Sequence, residues 1–176
     1  MTGRAHEENC TVFKVSFNNF ANAVREDFPQ YTDAEIREMY DRLPLPRRAT
    51  RGSAGYDVFA PFSFSLRPGE TIKIPTGIRV KMEESWVLQL YPRSGLGFKY
   101  RLQMNNTVGI IDSDYFDSDN EGHIFVKLIN DSSIRDAIKI EAGQAFCQGI
   151  FTSYGVTYDD NADRQRNGGF GSTDNT

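Results

Sequence analysis

A series of short β-like segments, many of them closed by a turn signal, is the feature that most limits what this sequence can fold into. From residue 54 onward the segments YDVFA, FSFSL, ETIKI, GIRVKM, SWVLQLY, HIFVKLI, DAIKI and AFCQGIF follow one another. Glycine and proline turns such as RPGE and PTG separate several of them. Many short strands at such spacing favour a closed β architecture, a barrel or a jelly roll. The sequence therefore predicts an all-β, jelly-roll-like barrel.

The amino-terminal part of the chain has a different pattern. TVFKVSF alternates apolar and polar residues and predicts a strand. A capping-box signature at Thr32 opens an apolar pattern at helical spacing, which predicts one short helix near 32–43. We therefore divide the chain into an amino-terminal extension at 1–45, the barrel at 46–158 and a polar, glycine-rich tail at 159–176.

Charge and cysteine content exclude several classes of function. The net charge of −4 leaves no basic surface of the kind that a stable nucleic-acid partner requires. Cys10 and Cys147 are too few for a disulfide framework and fit a reducing compartment, and the two histidines are not spaced as zinc ligands. No segment approaches the about 20 apolar residues of a membrane span, and the amino terminus lacks an apolar signal region. We expect a soluble, cytoplasmic protein with no membrane partner.

Polar side chains interrupt two otherwise apolar strand segments. Asp57 lies within AGYDVFA and Gln148 within FCQGIF, and a polar group in such a strand needs a partner. The partner is either a neighbouring loop or a ligand. For Asp57 the ligand interpretation is a carboxylate that holds the water ligands of a divalent cation. These residues alone leave both interpretations open.

Two further segments have the composition of phosphate sites. PRSG places Arg93 beside Ser94, and a guanidinium fork with a hydroxyl suits phosphate oxygens, although a surface turn has the same composition. NGGFGST at 167–173 has glycines and hydroxyls but no P-loop lysine. Its Phe170 is suited to stacking on a base. By composition alone, a disordered tail is the simpler interpretation of this segment.

A group of acidic residues follows the apolar segment GII. Asp112 comes directly after it and Tyr115 three residues later, within GIIDSDYFDSDNEGHI at 109–124. A carboxylate at the end of an apolar strand can act as a general base toward a water molecule, and a neighbouring aromatic ring can support a sugar. The remaining acids of the segment, including Glu121, are interpreted as an acidic surface hairpin.

Taken together and in this order, five segments resemble the five motifs of the trimeric dUTP pyrophosphatase (dUTPase) family. They are AGYDVFA, PRSGLG, NNTVGIIDSDY, GQAFCQGIF and NGGFGST, and they run from about residue 44 to residue 173. The resemblance implies a jelly-roll subunit in a homotrimer, with three active sites that are each built from all three chains. It also implies hydrolysis of dUTP to dUMP and pyrophosphate with Mg2+.

The resemblance also implies a role for individual residues. Asp112 matches the acid that orients and deprotonates the water attacking the α-phosphorus, and Tyr115 matches the aromatic under the deoxyribose, which leaves no room for a 2′-hydroxyl. Asn106 starts the hairpin whose backbone reads uracil. Asp57 matches the acid near the magnesium-bound waters, and Phe170 the aromatic that closes over uracil when nucleotide orders the tail. The other phosphate- and substrate-contacting residues implied in this way are Arg93, Ser94, Gly95, Gly109, Ile111, Gln148, Arg166, Gly171, Ser172 and Thr173.

The sequence departs from the minimal family pattern in four places. Ala145 stands where the fourth motif usually has a basic residue. Gln165 stands where the fifth motif has an arginine, and of its neighbours Arg164 and Arg166 we favour Arg166 for the γ-phosphate. The insertion FDSDNE lengthens the third motif before Gly122. The amino-terminal extension has no counterpart in that pattern, so its role and any protein partner stay open.

Two other functions compete with this interpretation. The homologous dCTP deaminase would need a catalytic glutamate where this chain has Lys127, and the ligands of zinc-type deaminases are missing. An interaction or regulatory protein built on the same barrel would bind through the helix at 32–43 or through the insertion. The presence of both Asp112 and Tyr115 argues against a purely non-catalytic role.

Overall fold

The computed structural model describes residues 9–133 and 137–162, in which strands outnumber helices. The helices are α1 Phe17–Asp27, α2 Asp33–Arg42 and α3 Ser94–Tyr100, with a 3-10 helix at Ser113–Asp117. None of the helices in these ranges is long and apolar enough to cross a membrane. In chain order the strands are β1 Cys10–Lys14, β2 Arg47–Arg48, β3 Tyr56–Phe59, β4 Phe64–Leu66, β5 Thr71–Pro75, β6 Ile78–Met82, β7 Trp86–Pro92, β8 Leu102–Met104, β9 Gly109–Ile111, β10 Phe125–Asn130, β11 Ile138–Ile140 and β12 Ala145–Ser153.

Antiparallel pairing joins these strands into four small sheets. The largest has the order β2-β3-β12-β7-β9, a second has the order β5-β10-β8, and two pairs, β1-β6 and β4-β11, complete the set. Side chains alternate between core and surface along each strand. In β10, for example, Val126, Leu128 and Asn130 are buried while Lys127 is exposed. The predicted all-β architecture is therefore observed.

Each of the eight strand-like segments found in the sequence contains a strand of the structure. Of the three further strands, β9 is the apolar strand expected before Asp112, whereas β2 and β8 were not predicted. They are two or three residues long, which is too short for alternation to give a signal. Their positions depend on the longer strands with which they pair.

The amino-terminal extension contains two helices, although the sequence predicts only one. Ser16 begins α1, where its hydroxyl oxygen accepts a hydrogen bond from the backbone N–H of Asn19 at 3.2 Å. The helix α2 follows Thr32, which forms the expected capping box with Glu35. The first helix was missed because an aromatic at Phe17 continues the pattern of the preceding strand.

Apolar side chains fix both helices to each other and to the barrel. Phe20, Val24 and Ile36 form a buried cluster between α1 and α2. The ring of Phe28 packs on Phe62 of the barrel with centroids 4.5 Å apart, and β1 pairs with β6 along its whole length. The extension is therefore part of the packed structure and lies against β6 and the barrel core.

Candidate active site

Three of the predicted site residues meet because of the strand order in the largest sheet. Strand β12 lies between β3 and β7, so the first, second and fourth motifs become neighbours. Asp57 on β3 is directly opposite Gln148 on β12, and Arg93 follows the end of β7. The Nε of Arg93 lies 3.3 Å from Oδ1 of Asp57, and the two side chains are 44% and 15% exposed. The cluster therefore offers both a carboxylate and an accessible cation.

Gln148 is held in place by its neighbours on both sides. Its Nε2 donates a hydrogen bond to the carbonyl oxygen of Pro92 at 3.2 Å. A Cβ placed on Gly55 would lie only 2.5 Å from Oε1 of Gln148, so a larger residue at position 55 would displace the amide. This close approach explains the small residues at the start of the first motif.

The segment after Arg93 forms a helix rather than the turn that the composition suggested. Arg93 precedes α3, and its backbone N–H donates to the carbonyl oxygen of Phe146 at 3.3 Å. Ser94 and Gly95 are the first two residues of this helix and are exposed. A Cβ on Gly95 would meet no atom within 4 Å. The hydroxyl of Ser94 thus lies on the solvent side of the cluster.

Asn106 lies at the tip of the tight connection between β8 and β9. Its carbonyl oxygen accepts a hydrogen bond from the N–H of Val108 at 2.8 Å, and Thr107 has a left-handed φ of 70°. Gly109 packs against the sheet, because a Cβ at that position would lie 3.0 Å from Cβ of Leu90. Ile111 is buried and ends the strand. The hairpin predicted to read uracil therefore presents backbone and an exposed asparagine at its tip.

Asp112 and Tyr115 lie at the entrance to the 3-10 helix. Asp112 directly follows β9 and is half-buried, and its carbonyl oxygen accepts from the N–H of Tyr115 at 3.2 Å. Tyr115 is only 3% exposed. Its hydroxyl donates to the carbonyl oxygen of His123 at 2.8 Å and accepts from Nδ2 of Asn120 at 2.8 Å. The tyrosine is thus a fixed part of the wall rather than a mobile surface residue.

Asp112 and the cluster around Arg93 lie at opposite ends of β7. Ile111 pairs with Leu88 near the start of that strand, while Arg93 follows its last residue, Pro92. Five residues of extended strand separate Leu88 from Arg93, a distance of about 17 Å. Within one chain, Asp112 and the cluster of Asp57, Arg93 and Gln148 are therefore two separate groups of candidate residues.

The fifth motif lies outside the described residues. This applies to Arg166, Phe170, Gly171, Ser172 and Thr173, together with the neighbouring positions 164 and 165. Their predicted contacts with uracil and phosphate stay predictions. Ala145, where the family pattern usually has a basic residue, is buried at the start of β12.

Sequence reasoning missed a set of residues behind the third motif. Asn120, Glu121 and His123 were assigned to a surface hairpin or set aside, but His123 is fully buried and Glu121 accepts two hydrogen bonds from Ser16. Glu121 is a partly exposed acid, as expected, but its anchoring to the amino-terminal extension was missed. The signal available in the sequence was that both the insertion and the extension depart from the minimal family pattern.

The cysteines and the acidic side chains limit which nucleophiles and which direct metal sites the described residues can offer. Cys10 and Cys147 are both free, and burial, followed by the charge of Asp57, raises the pKa of the Cys147 thiol far above its usual value. Cys147 is therefore a core residue and not a nucleophile. Within residues 9–133 and 137–162, no group of three His, Cys, Asp or Glu side chains could hold a metal ion directly.

Comparison with known proteins places the chain in a family. The dUTPase family model matches residues 41–174. The deoxyuridine 5'-triphosphate nucleotidohydrolase of Lactococcus lactis is 42% identical over 134 residues, which is 74% of this chain and 88% of that protein. This chain therefore belongs to the dUTPase family, and the identification made from the five motifs is confirmed.

Solved structures agree with the fold. The crystal structure of the dUTPase from Streptococcus mutans matches with a TM-score of 0.60 at 29% identity, covering 83% of this chain and 97% of that one. The dUTPase from phage phi11 of S. aureus, described with a structural Mg(II) ion, matches with a TM-score of 0.59 at 20% identity over 88% and 97% of the two chains. The predicted jelly-roll-like fold is therefore confirmed.

Proposed function

We propose that this protein is a dUTP diphosphatase, which hydrolyses dUTP to dUMP and pyrophosphate and so limits uracil incorporation into DNA while supplying dUMP. The observation that carries the proposal is the cluster of Asp57, Arg93 and Gln148, in which three separate motifs converge on one face of the largest sheet. This cluster combines a cation, an amide and a carboxylate at one accessible point. Such a set suits a metal-bound polyphosphate.

Each residue in and around the cluster has its own role in binding the triphosphate. The exposed guanidinium of Arg93 binds phosphate oxygens and stabilises the charge that develops on the leaving pyrophosphate. Gln148 and Ser94 donate further hydrogen bonds, and Gly95 leaves room for the phosphates to approach.

Asp57 fits a magnesium ion that is bound through water. Within the described residues no group of three His, Cys, Asp or Glu side chains could hold such an ion, so it would take most of its ligands from water and from the substrate phosphates, as Mg2+ commonly does. The carboxylate of Asp57 would accept hydrogen bonds from those waters. Bound Mg2+ supplies charge neutralisation on the phosphate oxygens.

Asp112 acts as the general base. Its carboxylate orients a water molecule and takes its proton as the water attacks the α-phosphorus, so position contributes more than basicity. Tyr115 lies three residues further on and supports the deoxyribose, where it excludes a 2′-hydroxyl. Asn106, Gly109 and Ile111 belong to the hairpin whose backbone reads uracil and excludes a 5-methyl group.

The active site forms between chains of a homotrimer. The separation of about 17 Å between the two ends of β7 supports this assembly, because it favours pairing Asp112 of one chain with the Arg93 cluster of a neighbouring chain. The tail residues Arg166, Phe170 and Gly171, with Ser172 and Thr173, complete the site by covering uracil and the terminal phosphates. The protein works in the cytoplasm, where its nucleotide substrate is found.

The test is release of pyrophosphate from dUTP, dCTP, dTTP and UTP, measured side by side with Mg2+. We expect dUTP to be the preferred substrate, because Tyr115 crowds the 2′ position and the hairpin at Asn106 crowds C5 of the base. Comparable turnover of dTTP or UTP would contradict the proposal. Preferential ammonia release from dCTP would support the deaminase instead.

A further inference from the structure

Asn19 on helix α1 bonds to the segment at which the insertion of the third motif ends. Its Nδ2 donates to the carbonyl oxygen of Asn120 at 2.9 Å, and its Oδ1 lies 2.8 Å from Nδ1 of His123. Nε2 of His123 accepts from the backbone N–H of Gly77 at 2.9 Å. The proton of the neutral imidazole therefore lies on Nδ1 and is donated to Asn19. One amide thus holds two points of the segment at once.

Tyr115 bonds to the same two residues, Asn120 and His123. Its hydroxyl is bonded to the carbonyl oxygen of His123 and to the side chain of Asn120, both at 2.8 Å. Residues 120–123 are therefore bonded both to Asn19 and to Tyr115. Movement of this segment would shift the carbonyl of His123 and the side chain of Asn120, to which the tyrosine hydroxyl is bonded.

Other contacts join the same parts of the chain. The backbone N–H and the hydroxyl of Ser16 donate to the two carboxylate oxygens of Glu121 at 2.8 and 2.6 Å. The guanidinium of Arg79 lies over the ring of Phe116, 3.6 Å from the ring centroid. Nη2 of Arg79 also donates to the carbonyl oxygen of Phe116 at 2.6 Å. The insertion is therefore held at both of its ends.

We propose that Asn19 is a positioning residue for the active site, which sets the place of Tyr115 through residues 120–123 and thereby sharpens discrimination against a 2′-hydroxyl. This inference rests on the proposed function, since it assigns to Tyr115 the contact with the sugar. It gives both the extension and the insertion a role in substrate choice. A sugar-excluding wall discriminates only while it stays in place, because a small displacement makes room for one oxygen atom.

The test compares kcat/KM for dUTP and UTP in the wild type and in Asn19→Ala. We expect the preference for dUTP over UTP to fall about 10-fold, the size expected when a buried hydrogen-bonded set is broken. The matched control is Asn18→Ala, since Asn18 is the preceding residue of the same helix, is exposed, and carries the same change in helix propensity. It should keep the preference of the wild type.

A double-mutant cycle with Tyr115→Phe separates positioning from general loss of stability. If Asn19 acts through the tyrosine hydroxyl, Asn19→Ala should cause little further loss of preference in the Tyr115→Phe background. Hydrogen exchange of residues 112–123, measured without nucleotide, should increase in Asn19→Ala and not in Asn18→Ala.

The possible results distinguish failure of the proposed function from failure of the inference about Asn19. A wild-type protein that does not hydrolyse dUTP would refute the proposed function, and this inference with it. An active wild type whose preference survives Asn19→Ala, or effects that simply multiply in the double variant, would refute the inference alone. Unchanged hydrogen exchange in Asn19→Ala would show that the amide does not hold the segment.

Discussion

At the scale of single residues, burial separates the side chains that are available for chemistry from those that hold them. Arg93 and Asp57 are paired but partly accessible, so they can exchange this contact for a phosphate or a bound water. His123 and Tyr115 are buried and bonded within the chain. Arg93 and Asp57 can therefore bind a ligand, whereas His123 and Tyr115 determine where neighbouring groups lie.

Replacing Asp112 by asparagine should remove the general base with little change to the fold. The amide cannot accept the proton of the attacking water, so we expect kcat to fall by ~10²- to 10⁴-fold. Nucleotide binding and the melting temperature should stay close to those of the wild type. Asp114→Asn, at an exposed position of the same 3-10 helix, is the control. Wild-type turnover by Asp112→Asn would mean that another group is the base.

The buried side chain of His123 should make the stability of the protein depend on pH. Burial lowers the pKa of His123 from 6.5 to about 4, so between these values the unfolded chain binds a proton that the folded chain does not. The contribution of His123 to the free energy of unfolding should therefore be complete above pH 6.5. It should decrease as the pH falls from 6.5 to 4 and stay constant below pH 4. The loss is about 3 kcal/mol per chain.

Chemical denaturation at fixed protein concentration measures this dependence. His123→Gln removes the titrating ring, so its free energy of unfolding should be nearly flat from pH 6.5 to 4. Glu121 affects stability at lower pH than His123 does, because hydrogen bonds from the side chain and backbone of Ser16 hold the pKa of Glu121 below the usual 4.5. Its contribution is lost as the pH falls through that lowered value. An equal slope in His123→Gln would assign the pH dependence to other groups.

At the scale of elements, the turn that ends the insertion packs closely against the backbone of the 3-10 helix. Gly122 has a left-handed φ of +65°, and a Cβ there would lie 2.7 Å from the carbonyl oxygen of Tyr115 and 2.8 Å from Cα of Phe116. These neighbours are backbone atoms and cannot rotate away. The turn therefore requires glycine for two reasons, conformation and space.

Gly122→Ala should lower the free energy of unfolding by about 2 to 4 kcal/mol, because the clash adds to the cost of the left-handed conformation. Gly143→Ala is a matched control, since Gly143 has a similar φ of +77° and a Cβ there would meet nothing within 4 Å. Only the conformational cost, about 1 kcal/mol, applies to it. Equal melting temperatures of the two variants would show that the backbone around Gly122 yields easily.

At the scale of the whole molecule, the separation of Asp112 from the Arg93 cluster has a consequence that can be measured. If each site takes Asp112 from one chain and Arg93 from another, two inactive variants can complement each other. Trimers assembled at random from equal amounts of Asp112→Asn and Arg93→Ala chains would contain intact sites in about one quarter of positions.

We therefore expect co-refolded mixtures of these two variants to regain about one quarter of the wild-type activity. Each variant refolded alone is the control and should stay nearly inactive. Light scattering should give a trimer in every sample. A mixture that stays inactive, or an active monomer, would place the complete site within one chain.

Much of this protein follows from the sequence alone. Period-2 alternation located eight strand segments, and the capping box at Thr32 located α2, because both signals depend on residues close together in the chain. The order of five motifs identified the family. The sequence did not indicate α1 or α3, since Phe17 continues a strand pattern and the glycines of SGLGFKY favour a turn.

Which residues meet was decided only by the tertiary structure. The order of strands in the largest sheet brings Asp57, Arg93 and Gln148 together and separates Asp112 from them. The bonds of Asn19 to residues about one hundred positions away join two segments that each looked like an unrelated addition. Local patterns report the period of a strand or a helix, but contacts between distant segments depend on how those elements pack. The sequence could therefore determine the elements and the family, while only the folded chain assigned a role to its extension.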